Sequence, residues 1–127
     1  MTENEISYKI RACIFLVYNK LGPGLLESAY EAALRYEIEK IGLKVQSQVG
    51  LPMVYESIQI EAAYRIDLLV EDKIIIEIKS VEELNPVHHK QIITYLKLSS
   101  KRLGILVNFN TDNLANNIFR KVNKLQV

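Results

Sequence analysis

Apolar residues in the first forty positions recur at spacings of three and four. Ile6, Ile10, Cys13, Ile14 and Val17 form one stripe of an amphipathic helix over residues 6–19, and Leu21-Gly22-Pro23-Gly24 ends it. A second helix is predicted from Leu25 to Ile41, burying Leu26, Tyr30, Ala33, Leu34, Ile38 and Ile41, with Gly42 as its stop. From Leu43 the period shortens to two. Val45, Ser47 and Val49 alternate with Gln46 and Gln48, and two further strands follow over 58–70 and 74–80. Asn85-Pro86 reads as an N-cap and a first-turn proline, opening a helix to about Ser99. Arg102 to Phe109 is a short buried strand, and Asp112 to about Lys121 is predicted to be a last helix. The order is helix, helix, three strands, helix, strand, helix, with no repeat or low-complexity segment.

The stretch Tyr64–Ser80, YRIDLLVEDKIIIEIKS, sets the chemistry through its register, because a slip of one residue moves every side chain to the opposite face. A two-residue turn at Glu71-Asp72 strands Asp67 and Glu77 on different faces. A three-residue turn, Glu71-Asp72-Lys73, pairs Val70 with Ile74, Leu68 with Ile76 and Asp67 with Glu77, and sets Lys79 across from Arg65. One face is then Tyr64, Ile66, Leu68, Val70, Ile74, Ile76 and Ile78, and the other carries Leu69 and Ile75 toward the turn with Asp67, Glu77 and Lys79 at the far end. Two carboxylates directly opposite one another destabilise a hairpin unless a cation lies between them. Mg²⁺ binds through one or two carboxylates and keeps several waters, so Asp67 and Glu77 suit it. Lys79, two residues beyond Glu77, projects on the same face, where its charge can orient water or stabilise a phosphate.

Bulk properties narrow the setting. At 127 residues the chain is expected to form one domain over 1–127, and 49% hydrophobic with 24% charged residues is ordinary globular composition. The longest apolar run, Ala12–Tyr18, is far shorter than the roughly 20 residues of a membrane helix, so no membrane association is expected. The lone Cys13 can form neither an internal disulfide nor a zinc cluster, which fits a reducing cytoplasm. The net charge of +1 conceals a division. Residues 90–127 hold seven basic side chains against Asp112 alone, a net of +6, which leaves −5 for residues 1–89. A polyanion-binding face beside an acidic metal site gives that asymmetry, and so does a solvated basic helix.

Asp67, nine intervening residues, then Glu77-Ile78-Lys79 resembles the signature of the PD-(D/E)XK nuclease superfamily, with Ile66 where a proline often precedes the aspartate. Gln91-Ile92-Ile93-Thr94-Tyr95 resembles the Gln-x-x-x-Tyr motif of its RecB-like and lambda-exonuclease-like branch, with Gln91 and Tyr95 one helical turn apart and His88 beside them. More narrowly, Gly24-Leu25-Leu26-Glu27-Ser28-Ala29-Tyr30 matches the motif of the GxxExxY protein family, and the likeness extends over about Gly24 to Asn110. The resemblance implies an α/β chain of the α+β, mixed-sheet type: a restriction-endonuclease-like helix-βββ-helix-β core with an extra N-terminal helix and a C-terminal helix.

The same resemblance implies that Asp67, Glu77 and the Ile78 backbone carbonyl ligate Mg²⁺, for which Mn²⁺ substitutes, with Glu27 completing the site directly or through water. Lys79 would position the attacking water, and Gln91 and Tyr95 would orient Lys79, the water or the substrate phosphate. The function implied is hydrolysis of phosphodiester bonds in nucleic acid, DNA in the first instance, by metal-activated water. The small size of the chain leaves little room for an additional DNA-reading domain, so a homodimer or larger nuclease assembly is expected to supply grip. A non-catalytic module that keeps the fold to bind nucleic acid or protein is the alternative. Several of these residues have plainer readings: Glu27 as a first-turn helix charge, Tyr30 as core, Gly24 as a backbone requirement and Tyr95 as a packed aromatic. Adjacent His88 and His89 diverge around a helix and make no metal pair, while Asn108 and Asn110 read as turn formers.

Overall fold

A computed structural model describes residues 1–125. Helix α1 (Glu3–Leu21) and helix α2 (Glu27–Lys40) precede strands β1 (Val45–Tyr55), β2 (Ile58–Val70) and β3 (Ile74–Lys79). Helix α3 (Pro86–Ser99) then leads to β4 (Leu103–Asn108), a 3₁₀ turn over Leu114–Asn117 and β5 (Ile118–Val122). The five strands form one sheet in the order β1-β2-β3-β4-β5. Only β3 and β4 run parallel, as a connection through α3 requires; the other neighbours are antiparallel.

The sheet is covered on both faces. On one, Ile10, Ile14 and Val17 of α1 and Tyr30, Leu34 and Ile38 of α2 pack on Leu68, Val70, Ile74, Ile76, Ile78, Ile105 and Val107. On the other, Ile92 and Leu96 of α3 pack on Ile66, Leu69, Ile75 and Leu106. Strand β4 is buried along its whole length, which is why Leu103–Val107 reads as an unbroken apolar run instead of an alternating one. Gly104 lets α3 sit close, since a Cβ there would fall 2.9 Å from Ile92 Cδ1. This α+β arrangement agrees with the restriction-endonuclease-like core that the resemblance implies.

Three expectations need correction. The predicted helix over Asp112–Lys121 is instead the 3₁₀ turn and β5. Asparagine is a poor helix former because its side chain competes for the backbone. Here Asn113 Oδ1 accepts from Asn116 N and Asn117 Nδ2 donates to Asn113 O, which holds a single turn, while Ile118–Val122 pairs with the otherwise open side of β4. In α2, Leu26 is 78% exposed and Ile41 48%, because the helix begins after the one and ends before the other.

The third correction concerns β2. The three-residue turn and the pairs Val70–Ile74 and Leu68–Ile76 are as the pattern predicts, but the ladder stops there. Asp67 and Glu77 are not a ladder pair, and the neighbour of Lys79 in the sheet is Asn108, not Arg65. Tyr64 and Ile66 lie on the α3 face, opposite to Leu68 and Val70. The reversal falls at one level of the β1–β2 pair. Ser47 pairs with Leu68 and Val49 with Ile66, whereas Gln48 and Asp67 between them do not pair, and Gln48 adopts a left-handed φ of +51°. Both strands are creased at this level, and beyond it β1 and β2 continue as a two-stranded ribbon away from β3.

Candidate functional site

The crease puts Asp67 where β2 peels away from β3, so the backbone of each strand loses its partner there. The carboxylates replace the missing ladder bonds. Asp67 N donates to Glu77 Oε2 at 2.9 Å, and Ile78 N donates to Asp67 Oδ2 at 2.8 Å. The N–H and C=O of a strand residue point the same way, so the Ile78 carbonyl also faces the gap beside Asp67. One oxygen of each acid is thereby fixed by the other strand; Asp67 Oδ1 and Glu77 Oε1 take no bond from it.

Glu77 is 4% exposed and has no ion-pair partner among the described residues. Burial, with the Asp67 charge added, pushes its carboxyl up to about 8, against the Asp67 N–H bond and the Lys79 charge, which pull it down. Burial also raises Asp67, opposed by its bonds from Ile78 and Gln48 and by Lys79. Lys79 is half-buried on the Glu77 face of β3 and acts on both acids through its charge.

Glu27, in the first turn of α2, reaches the same end of β3, where its Oε2 accepts from Ser80 N at 3.2 Å. Its position depends on Tyr30, whose ring stacks on Phe109 at 4.4 Å and whose hydroxyl donates to Gly22 O while accepting from Leu25 N at 3.1 Å. Ser80 Oγ ties the same loop by donating to Leu25 O at 2.6 Å. Gly24, at φ +102°, takes a conformation that suits glycine. The spacing Gly24, Glu27, Tyr30 is therefore a loop, an acid at a helix start and the aromatic that clamps them.

From α3, Gln91 Nε2 donates to Tyr95 OH at 3.1 Å, and Tyr95 packs on Tyr64 of the ribbon with ring centres 4.8 Å apart. Burial and the Glu77 charge raise the Tyr95 hydroxyl, which marks it as a neighbour of the acidic centre. His88 does not join this pair. Its Nδ1 accepts from Asn85 N at the helix start, and His89 lies edge-on to Phe119. Of the basic residues of the last third, Lys101 pairs with Asp72 and Arg102 with Glu3, at the opposite end of the strands.

The structure adds two residues that the sequence reading did not place at the site, Gln48 and Glu31, and gives a third, Asn108, a different role. Gln48 Nε2 donates to Glu31 Oε1 at 2.6 Å and to Asp67 Oδ1 at 3.3 Å. Together with Glu27 and Ser28 these line an open cleft of about 540 Å³. Glu31 had a signal, lying four residues after Glu27 on one helix face; Gln48 had none. Asn108 is no turn former. It is buried at the end of β4, where its amide brackets Val81, accepting from Val81 N at 3.0 Å and donating to Val81 O at 2.9 Å. That fixes the chain just beyond Lys79.

No three acidic, histidine or cysteine side chains converge to hold a metal by themselves among the described residues. A tetrahedral zinc site is therefore not built here. Two carboxylates, each with an oxygen not held by the backbone, an adjacent carbonyl and a buried Glu77 without an ion-pair partner among the described residues do fit a hard divalent ion that keeps most of its waters. Among the described residues no helix is long and apolar enough to cross a membrane. No curated protein and no solved structure gives a significant match to the chain. Residues 4–122 match the PD-(D/E)XK nuclease superfamily, and on that match, spanning nearly the whole sequence, the chain belongs to this superfamily.

Proposed function

We propose that this protein is a divalent-cation-dependent nuclease that hydrolyses phosphodiester bonds in DNA, using Mg²⁺ or, in its place, Mn²⁺. One observation carries the reading: the reciprocal bonds of Asp67 and Glu77 at the gap in the sheet, which engage one oxygen of each acid and leave the other without a backbone partner. A binding-only module has no need of a buried, uncompensated acid, whereas a cation-dependent hydrolase does. Asp67, Glu77 and the Ile78 carbonyl would hold the ion, with Glu27 at its margin through a water. When bound, the ion supplies Lewis-acid polarisation of a phosphoryl oxygen and lowers the pKa of water.

The protein's own groups do the rest. Lys79 offers a fixed positive charge on the same strand face for the phosphate or the attacking water. Tyr95, braced by Gln91, orients Lys79 or the phosphate from the α3 side. Glu27 holds the Ser80 amide, which fixes the end of β3 against α2. The motif Gly24-x-x-Glu27-x-x-Tyr30 supports placement in the GxxExxY group, and Gln91 with Tyr95 supports the RecB-like branch. We take residues 1–127 to act as one domain, with a cytoplasmic setting supported by the single buried thiol of Cys13.

The test is incubation of labelled linear, circular and branched DNA with wild type and with the double variant Asp67→Asn/Glu77→Gln, with Mg²⁺ or Mn²⁺ present. Cleavage by wild type alone supports the reading. Cleavage retained by the variant removes these residues from the site, and a well-folded wild type that neither binds metal nor cleaves is a binding module.

A further inference from the structure

At the crease, Gln48 departs from the usual rule that a left-handed backbone belongs to glycine. Gln48 holds φ +51° inside β1, a conformation that disfavours a non-glycine side chain. Neighbouring residues do not force a glutamine here, since glycine would remove the penalty. What its side chain has that glycine lacks is an amide. Its amide nitrogen carries two hydrogens and stands between two carboxylates, 2.6 Å from Glu31 Oε1 and 3.3 Å from Asp67 Oδ1. The Asp67 oxygen it reaches is the one that Ile78 N leaves free.

We propose that Gln48 is a positioning residue, anchored on Glu31 of α2, which fixes the free oxygen of Asp67 for cation binding. This rests on the nuclease reading above and extends it to residues outside the superfamily signature. The physical need is plain. Ile78 N restrains one Asp67 oxygen, but rotation about the terminal carboxylate torsion is soft, and a single restraint leaves the other oxygen free to swing. A neutral donor completes the restraint without competing for the cation. Lysine or arginine in its place would neutralise Asp67 and oppose the ion. Glu31, acting through Gln48, ties this restraint to α2, the same helix that carries Glu27.

Outer partners that orient metal ligands typically contribute 10- to 100-fold in affinity. Gln48→Gly separates that contribution from folding, because it relieves the backbone and removes the amide. We expect the glycine variant to melt at or above the wild-type temperature without metal, while Mn²⁺ added alone binds at least tenfold more weakly by calorimetry. Gln48→Asn, which also tolerates a left-handed backbone but is one methylene too short, should lose affinity in the same way. Glu31→Gln keeps an acceptor for the Gln48 amide and should bind Mn²⁺ nearly as wild type, whereas Glu31→Ala should not. Wild-type Mn²⁺ affinity in both Gln48 variants, with Asp67→Asn abolishing binding, overturns this inference and leaves the nuclease reading standing. Absence of Mn²⁺ binding by the wild-type protein overturns both.

Discussion

Asp67 and Glu77 each accept a hydrogen bond from the backbone of the other's strand: Ile78 N donates to Asp67 Oδ2 at 2.8 Å and Asp67 N donates to Glu77 Oε2 at 2.9 Å. The two acids are thus part of the sheet as well as of its opening. The β2–β3 ladder ends at Leu68–Ile76, and without the carboxylates two amide donors at the strand divergence would lose their partners. Structural and chemical roles can be separated because an amide side chain still accepts a hydrogen bond but no longer carries charge.

Asp67→Asn is expected to keep the Ile78 bond and unfold in urea within about 1 kcal/mol of wild type, while Asp67→Ala leaves that amide unpaired and costs about 1–3 kcal/mol. Both variants should lose divalent-ion binding and cleavage. Equal stability of the two would show that the carboxylate is not bracing the strands.

Glu77 gives a pH dependence with a definite sign. Its carboxyl stands at about 8 in the folded protein against an ordinary value of 4.5, so the folded state holds a proton that the unfolded state has lost. Its contribution is full below about pH 4.5 and is lost as pH rises through about 8. In the absence of divalent ions, Glu77→Gln should therefore be more stable than wild type by roughly 2–4 kcal/mol at pH 9, and the difference should vanish near pH 4.5. Urea unfolding of both proteins across this range is the measurement. A difference that stays constant or grows toward acid would show that the buried acid is already compensated.

These features were not equally legible in the sequence. Asp67, Glu77 and Lys79 stood out because charges interrupted a period-two apolar pattern, and the turn length fixed which faces they shared. Gln91 and Tyr95 came from the resemblance to a Gln-x-x-x-Tyr motif, and helical spacing added only that they share one face. The crease did not, because a left-handed backbone at Gln48 has no sequence signature when the residue is not glycine or asparagine. That one crease moved Tyr64 and Ile66 to the other face and replaced a ladder pair with side-chain bonds. The edge strand β5 was lost for a different reason: Leu114 and Ile118 satisfy a helical spacing as well as they fit the turn and strand that form. Pairing with β4, a contact distant in the chain from any local propensity, decides between them.

Tyr30 tests the meaning of the Gly24, Glu27, Tyr30 spacing. Tyr30→Phe keeps the stack on Phe109 but removes the hydroxyl that joins Gly22 O to Leu25 N. The expected cost is about 1–2 kcal/mol. It should be accompanied by faster amide exchange at Leu25 and at Ser80, whose amide is held by Glu27. Faster exchange spread evenly over the molecule would instead make Tyr30 a core residue with no special hold on the loop.

Gly104 tests whether α3 must sit where it does for Gln91 and Tyr95 to act. A Cβ at Gly104 would lie 2.9 Å from Ile92 Cδ1 and 3.1 Å from Ile92 Cγ1, so a methyl group requires the end of one flexible side chain to shift. Gly104→Ala is accordingly expected to cost about 1 kcal/mol and to leave cleavage near wild type. A branched side chain cannot be met by that adjustment. Gly104→Val must displace the helix, at a cost of about 1–3 kcal/mol, and since Gln91 precedes Ile92 directly and Tyr95 follows it by one turn, both move with it. Cleavage by Gly104→Val should then fall about as far as in Tyr95→Phe, measured at a temperature where both variants remain folded. If Gly104→Val cleaves as well as Gly104→Ala, the position of α3 is not what Gln91 and Tyr95 contribute, and they belong to the packing of Tyr64 instead.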